Sequence, residues 1–420
     1  MNIRMGRRHF LRQAASLTAL TATVPTFVDK TAAAFAGKVA PIPGLNDDRV
    51  LVVVQLAGGN DGLNTLVPHG DDAYYKARPK LAVEAKKVLK IDNHLGFHPE
   101  LAELKSMLDD GELAVVQNVG YPNPDRSHFR SSEIWETASP AGKAWTTGWL
   151  GRYFDSECAG VQSPILGLQL GERPAQSFAN PRPRAVTLAN PAILDLPSKG
   201  IAGHGLKRLN EVEPTGIEAL DFVQRTANDT LSLSNRLKDA LSERHSAVTY
   251  PPFEFSQSLR TIAQLITAEL PTRVYYVTLA GFDTHASQFN RHAALLQELS
   301  QGLTTFHRDL KARGHLDRTL VITFSEFGRR VAENKSAGTD HGTANIMFLT
   351  GGGIAPGLHG SRPDLTGLDD SGDLTHKIDF RSVYATILDQ WFGADPSKIL
   401  EGQFEPTPVL RATHSLKPTT

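Results

Sequence analysis

The sequence predicts an α/β fold with three layers, in which a mostly parallel sheet lies between helices. Short apolar runs of strand length are the first observation. The second is an amphipathic helical segment between two of these runs, because strand, helix and strand at these lengths form a βαβ unit with parallel strands. The third is the polar segment that accompanies each run. The predicted strands are 50–56, 113–116, 274–279, 320–324 and 346–349.

The helices are predicted from the spacing of apolar residues. Between 289 and 314, apolar side chains at 295, 296, 299, 303, 306 and 310 recur at helical spacing, and Gly314 marks the end of the segment. Residues 101–108, which precede the second strand, follow the same pattern. Both segments therefore predict helices that pack on the sheet.

The middle of the chain, 140–250, has a different composition. It is dense in proline and turn residues and then shows a polar helix pattern over 216–244. We interpret this segment as an insertion that caps one end of the sheet of a domain covering 37–420.

The N-terminal residues 1–36 predict an export signal. Arg7 and Arg8 precede Phe10 and a short apolar run, and Ala-Phe-Ala at 34–36 resembles a cleavage site. The order Arg-Arg-x-Phe-Leu resembles a twin-arginine signal, which the export machinery reads as an address. The apolar run is too short to span a membrane. We therefore expect a periplasmic or secreted protein, exported folded; the alternative is a disordered basic N-terminus.

Composition narrows the class of protein. The chain has 420 residues, of which 40% are hydrophobic and 21% charged. Residues 1–36 hold five of the 44 basic side chains and one of the 45 acidic ones, so the mature chain carries 39 and 44, a net charge of −5. A mildly acidic chain without a basic run does not favour nucleic acid as a partner. Cys158 is the only cysteine, so an intrachain disulfide is excluded.

Five polar segments accompany the predicted strands, namely "GGND", "DRSHF", "FDTH", "SEFGRR" and "TDHG". Each alone also fits a turn or a helix cap. In open parallel sheets, however, ligands bind at the carboxyl ends of the strands, so the five together predict one shared site. Two carboxylates and two histidines with a hydroxyl nearby suit a dinuclear zinc or manganese site, which can clamp the oxygens of a phosphoryl group.

The same segments resemble a known family. "GGNDGLN", "YPNPDRSHF", "GFDTH", "SEFGR" and "GTDHG" are similar to motifs of the twin-arginine-exported domain-of-unknown-function family 1501, over about 50–390. That family resembles a branch of the alkaline phosphatase and sulfatase superfamily. The resemblance implies an alkaline phosphatase-like fold and a hydrolase of phosphate or sulfate esters, acting on a small-molecule or glycan ester with one or two divalent ions, zinc or manganese.

The resemblance also implies roles for individual residues. Ser127 would be the nucleophile, with His128 as a second catalytic residue and a metal-bound water as the alternative attacking group. Asp61 would be the metal-binding residue after the first strand, and Asn60 is the alternative at that position. The implied metal ligands are Asp61, Asp283, His285, Glu326 and His341. Arg126, Arg130 or Arg329 is available to hold the anionic group of the substrate.

One segment departs from the superfamily pattern. Ser325 and Glu326 stand where Asp-His is usual, and Phe327 follows where a second histidine would bind. This leaves three alternatives: a single metal ion suffices for catalysis, His128 or Asp340 substitutes for the missing metal ligand, or the protein has lost its catalytic activity. The sequence lacks the Cys/Ser-x-Pro-x-Arg string of formylglycine sulfatases. The rival function is a periplasmic binding or assembly protein that keeps the fold without turnover.

Overall fold

The structure, a computed structural model, describes residues 48–158, 165–182, 184–189, 237, 241 and 246–411. All of them belong to one compact unit, 47–420. The predicted signal 1–36 and nearly all of the predicted helix 216–244 lie outside the described residues. In the part that is described, no helix is long and apolar enough to cross a membrane.

A nine-stranded sheet forms the centre of the described structure, in the order β11-β5-β10-β9-β1-β8-β6-β7, with β12 paired to β5. Its strands are β1 Val50–Ala57, β5 Leu113–Gly120, β6 Gly167–Leu170, β7 Ala185–Leu188, β8 Val274–Ala280, β9 Thr319–Phe324, β10 Asn345–Gly351, β11 Gly357–His359 and β12 Ile378–Asp379. A second sheet has the order β2-β4-β3. Its strands are β2 Leu66–Val67, β3 Leu89–Lys90 and β4 Gly96–Phe97.

The five predicted strands are confirmed as β1, β5, β8, β9 and β10. The sequence predicts that the polar segments meet at one edge because each of them follows a parallel strand. The direction of β10 shows that this reason is wrong for one segment. β1 pairs in parallel with β8 and β9, whereas β10 is antiparallel to both β9 and β5. His341 precedes β10 instead of following a strand. Because β10 runs the other way, its beginning lies at the edge where the parallel strands end, so His341 still reaches that edge.

Part of the predicted cap belongs to the central sheet. β6 pairs in parallel with β8, and β7 pairs in parallel with β6, so 167–188 extends one edge of the sheet. The prediction that 140–250 caps the sheet is corrected for these residues. The sequence obscures both strands, because each is four residues long and is surrounded by proline and turn residues.

Helices cover both faces of the sheet, as a three-layer fold requires. The two predicted helices are confirmed at Ala102–Asp109 and Gln288–Ala312. The described helices are α1 Gly62–Thr65, α2 Asp72–Ala77, α3 Ala102–Asp109, α4 His128–Thr137, α5 Trp149–Glu157, α6 Glu254–Thr267, α7 Gln288–Ala312, α8 Phe380–Thr386 and α9 Pro396–Leu400, with 3₁₀ turns at Pro99–Leu101 and Gln176–Phe178 and a π-helical segment at Ile387–Trp391.

Alternate side chains of the strands point to the two faces. Val52 and Val54 of β1 belong to a hydrophobic cluster with residues of α3, α6 and α7. On α4, Trp135 stacks on Phe324 and Phe380, at ring-centroid distances of 5.5 and 4.2 Å. β1, β5 and β9 are almost wholly buried, which is typical of a sheet covered on both sides. This rigid sheet fixes the loops at its edge.

Candidate metal centre

The glycine pair after β1 allows the chain to turn tightly beneath a neighbouring loop. Gly58 and Gly59 have φ values of +116° and +78°, which side-chain-bearing residues rarely adopt. A Cβ on Gly58 would lie 2.3 Å from the backbone nitrogen of Asp283, and one on Gly59 would lie 2.4 Å from the Phe327 ring. Gly58 thus lets the loop after β8 pass close to the end of β1, and Gly59 leaves room for Phe327 in the segment after β9.

Three histidines converge on one carboxylate oxygen at this edge of the sheet. The Nε2 atoms of His285, His341 and His128 lie 3.0, 3.3 and 3.4 Å from Oδ1 of Asp283. The Nε2 atoms of His285 and His341 are 2.8 Å apart. The carboxylate is half-exposed and the three rings are partly exposed. A small molecule in solvent can therefore reach the cluster.

Each histidine is oriented through its other ring nitrogen. His128 Nδ1 lies 2.8 Å from Oε1 of Glu326, and His285 Nδ1 lies 3.1 Å from Oδ1 of Asp340. His341 Nδ1 lies 2.7 Å from the backbone oxygen of Arg126. Ionised carboxylates and carbonyl oxygens only accept hydrogen bonds, so each Nδ1 carries the donated proton. In the neutral ring, each Nε2 then presents a lone pair to the common point.

This arrangement fits a divalent metal ion. Ligands that each lie about 2 Å from a tetrahedral ion are about 3.3 Å from one another, close to the distances of the three Nε2 atoms from Oδ1 of Asp283. The ligand atoms of His128, Asp283 and His341 all lie within 4.8 Å of one another. His128 Nε2 is buried and has no hydrogen-bond partner, although it faces Asp283. Metal-bound histidines usually donate their second nitrogen to a carboxylate or a carbonyl, as all three do here. Three imidazole nitrogens and one carboxylate oxygen suit zinc, and imidazole ligands are less typical of manganese.

A neighbouring charge favours the carboxylate form of Asp283, and burial favours the neutral form of His341. Partial burial alone would raise the pKa of Asp283, but the hydrogen bond and charge of Arg329 lower it to about 2. Burial lowers the pKa of His341, which favours its neutral form. The hydrogen bond to Glu326 instead raises the pKa of His128. Asp283 is thus a carboxylate at neutral pH.

The structure changes the roles expected of Glu326 and His128. Glu326 is buried and accepts from the backbone N–H of Gly58 at 2.8 Å as well as from His128. Its carboxylate orients His128 and is not among the converging ligand atoms. His128, predicted as a second catalytic residue and, as an alternative, as a substitute metal ligand, is one of the converging histidines. Phe327 packs against the rings of His128 and His341, at centroid distances of 4.9 and 4.6 Å.

Asp61 lies apart from the cluster, contrary to its predicted role as a ligand. Its side chain is completely buried and pairs with Arg78, at 2.6 Å between Oδ2 and NH1. It also accepts from the Gln288 amide and caps α1 at the backbone of Asn64. These donors occupy the carboxylate. Asn60, the alternative ligand, is buried and accepts from Thr65 while its backbone bonds Ser325 and Asn345.

None of the three arginines predicted to bind an anion offers a free guanidinium. Arg329 is fully buried and donates to four backbone oxygens and to Asp283. Arg126 pairs with Asp369 and Asp373. Arg130 pairs with Glu133 and donates to three backbone oxygens. Arg329 acts on the cluster through Asp283, and the other two hold neighbouring loops.

Ser127 remains available at the rim. It is exposed and immediately precedes α4, whose first residue is His128. Its hydroxyl makes no capping hydrogen bond to the helix, and its backbone N–H bonds Asp125 at 2.7 Å. The Cα atom of Ser127 is about 3.8 Å from that of His128, its neighbour in the chain.

Sequence reasoning missed Arg78 and Gln288, and it gave Asp340 only the role of a substitute ligand. Arg78 stands in "KARPK" and Gln288 in "ASQFN", and neither string has a motif that indicates a site. Their partners are distant in the sequence and become neighbours only in the fold. The position of Asp340 next to His341 indicates that it belongs to the site, but it does not indicate that Asp340 orients His285.

Comparisons with solved structures return proteins of low identity. The chain is similar to the C-terminal periplasmic domain of EcEptC from Escherichia coli in complex with Zn, at 11% identity and a TM-score of 0.34, covering 73% of this chain and 74% of that one. It is similar to a protein in the alkaline phosphatase superfamily from Vibrio parahaemolyticus, at 11% and 0.35, covering 84% and 71%. For the PsFucS1 sulfatase from Pseudoalteromonas sp. the values are 10%, 0.35, 87% and 74%. TM-scores this low carry no inference about activity.

Sequence comparison gives a clearer result. No curated protein matches the sequence. The profile of the family described as "Protein of unknown function (DUF1501)" matches residues 48–404, which include every converging ligand and Ser127. The match covers most of the chain, so this protein belongs to the DUF1501 family.

Proposed function

We propose that this protein is a metal-dependent hydrolase of phosphate or sulfate esters that acts outside the cytoplasm. The observation that carries the proposal is the convergence of three Nε2 atoms on Oδ1 of Asp283, each histidine being oriented through Nδ1. A buried polar atom without a partner, such as His128 Nε2, needs an explanation. A bound cation supplies it.

His128, His285, His341 and Asp283 would hold one divalent ion, with zinc preferred for its affinity for imidazole. Once bound, the ion would act as a Lewis acid that draws electrons from an ester oxygen. One ion fits better than two, because Asp61 and Glu326 are already engaged by Arg78 and His128.

Ser127 is the proposed nucleophile. Its Oγ forms a bond to the phosphorus or sulfur atom while the bond from that atom to the leaving oxygen breaks, and the leaving oxygen takes a proton from water. The hydroxyl proton of Ser127 passes to solvent, to which the residue is exposed. A water molecule then cleaves the serine ester and regenerates the hydroxyl, so the net reaction is hydrolysis.

Phe129 supports a substrate with an organic ring. It follows Ser127 and His128 directly in the sequence, and its side chain is 88% exposed. An exposed aromatic face suits stacking on an aromatic or sugar ring. Because the three nearby arginines are engaged, recognition through the ring supplements the attraction of the anion to the metal.

The engaged arginines also favour a second candidate, a metal-binding protein without turnover. A hydrolase of anionic esters gains from a free guanidinium at its site, and Arg126, Arg130 and Arg329 are all paired. This candidate requires the same metal cluster and predicts bound metal without hydrolysis.

The test combines metal content with turnover. The wild type, His285→Ala and the matched control His94→Ala, an exposed loop histidine, are purified without chelator. Metal is quantified by mass spectrometry, and p-nitrophenyl phosphate and sulfate serve as probes. We expect about one ion per chain and ester hydrolysis in the wild type and the control, and loss of both in His285→Ala. Wild-type protein with metal but no hydrolysis of either ester would replace the hydrolase with the binding protein.

A further inference from the structure

Gln288, the first residue of α7, lies at the centre of a buried group of hydrogen bonds behind the metal cluster. Its side-chain nitrogen donates to Asp61. Its side-chain oxygen accepts from the hydroxyls of Thr284 and Thr339, at 3.1 and 2.5 Å. All four residues are at most 1% exposed. We refer to Asp61, Gln288, Thr284 and Thr339 as the clasp.

The donor pattern of the clasp permits one orientation of the amide. The Asp61 carboxylate can only accept, so the Gln288 nitrogen faces it and the Gln288 oxygen faces the two threonine hydroxyls. Asp61 is itself fixed by Arg78, which also donates to the backbone oxygens of Arg330 and Val331. The amide therefore has a rigid support on the side away from the threonines.

The two threonines belong to the loops that carry the metal ligands. Thr284 lies between Asp283 and His285, and Thr339 lies two residues before His341. The backbone N–H of Thr339 donates to the oxygen of Thr284 at 3.2 Å, which joins the loops directly. Through one side chain, Gln288 thus holds both loops against the end of β1.

We infer that the clasp is a positioning device for the metal site, so that metal affinity depends on Gln288 and Asp61 although neither contacts the ion. The inference rests on the proposed metal site. Ligands must be held at a fixed separation before the ion arrives, and here they belong to loops that are more than 50 residues apart in the sequence. Without Gln288, the backbone hydrogen bond between Thr284 and Thr339 and the contacts of Arg329 with both loops would remain. The side chains of Thr284 and Thr339 would lose the acceptor that they share.

The test compares two buried substitutions on α7. Gln288→Met keeps an unbranched side chain of similar length and removes the clasp hydrogen bonds. The control, Thr304→Val, removes a buried hydroxyl that contacts the sulfur of Met107 and lies outside the clasp. Zinc dissociation constants are measured by competition with a chromogenic chelator. The visible spectrum of the cobalt-loaded protein reports the coordination geometry, and urea unfolding of the metal-free protein reports stability.

We expect Gln288→Met to bind zinc at least about 10-fold more weakly, a loss typical of supporting residues around a metal, with an altered cobalt spectrum. Thr304→Val should retain the wild-type constant and spectrum even if both variants lose stability. Should Gln288→Met fail to fold, Thr284→Val and Thr339→Val are measured in the same way, with the same loss expected. Wild-type affinity and spectrum in the clasp variants would overturn the inference alone. A wild type that takes up neither metal would overturn the proposed function and the clasp together.

Discussion

The Nδ1 atom of His341 lies 2.7 Å from the backbone oxygen of Arg126. The carbonyl can only accept, so the proton of His341 lies on Nδ1 and its Nε2 faces the cluster. This contact links the loop before α4, which carries Ser127, to the loop before β10, which carries His341. The segments that carry the proposed nucleophile and the proposed metal ligands are therefore fixed relative to each other by a contact that includes a backbone oxygen.

Glu326→Gln should weaken metal binding without removing it. The glutamine keeps the shape and can still accept from His128 Nδ1, but it is neutral and makes the imidazole a poorer ligand. We expect zinc affinity to fall by about 10-fold, measured by chelator competition. Glu333→Gln is the matched control, because Glu333 accepts from the backbone N–H groups of Lys80 and Leu81 outside the cluster. Equal affinity in Glu326→Gln and the control would argue against the role of Glu326.

Ser127→Ala should abolish turnover and spare the metal. The hydroxyl makes no capping bond, so its removal should change the free energy of unfolding little. Ester hydrolysis should fall by about 10³-fold or more if Oγ is the nucleophile. Ser132→Ala, on the same helix, is the control. Steady-state kinetics and metal analysis of both variants check the prediction, and substantial hydrolysis by Ser127→Ala would exclude this serine as the attacking group.

Arg78→Met should destabilise the protein most at neutral pH. Complete burial alone would raise the pKa of Asp61, but the charge of Arg78 holds it below its ordinary value. The ion pair therefore stabilises the fold above the unfolded pKa of about 3.9, and this stabilisation is lost as the pH falls through the lower folded value. In the variant, burial raises the folded pKa, so destabilisation grows as the pH rises above about 4.

The expected loss for Arg78→Met at pH 7 is about 3–5 kcal/mol, the cost of leaving a buried charge unpaired. Urea unfolding at pH 4 and pH 7 measures it. Lys87→Met removes an exposed partner of Glu84 and should have little effect at either pH. A loss in Arg78→Met that is the same at both pH values would show that the ionisation of Asp61 is not involved.

Arg7→Lys combined with Arg8→Lys should retain the full-length precursor in the cytoplasm, since the export machinery reads the arginine pair. Arg12→Lys is the control and should be exported normally. Cell fractionation followed by immunoblotting distinguishes precursor from mature protein. Mature protein in the periplasm of the double variant, at the wild-type level, would refute the export assignment.

The sequence predicts the elements of this fold better than their directions and pairings. The apolar run of β1 and the helical spacing of α7 mark these elements, because burial in the sheet or on one helix face selects for such patterns. No local pattern specifies that β10 is antiparallel, because direction depends on how the chain returns to the sheet. β6 and β7 are too short to give a signal of their own.

The same limit applies to the site. Asp283, His285 and His341 were predicted from "FDTH" and "TDHG", and the structure brings them together. The roles of Asp61 and Glu326 were not predictable, because a carboxylate at a strand end can bind a metal or serve another side chain. Here Asp61 pairs with Arg78, and Glu326 pairs with His128. Both contacts form only when distant segments meet in the fold.

The position of a bound ion would show whether the four converging side chains form a metal site. Crystals of protein purified without chelator and loaded with zinc would give an anomalous difference map at the zinc absorption edge. We predict one strong peak per chain, about 2.0–2.2 Å from the Nε2 atoms of His128, His285 and His341 and from an Asp283 carboxylate oxygen. A map without a peak among these four residues, or with its peak at other side chains, would contradict the proposed zinc site.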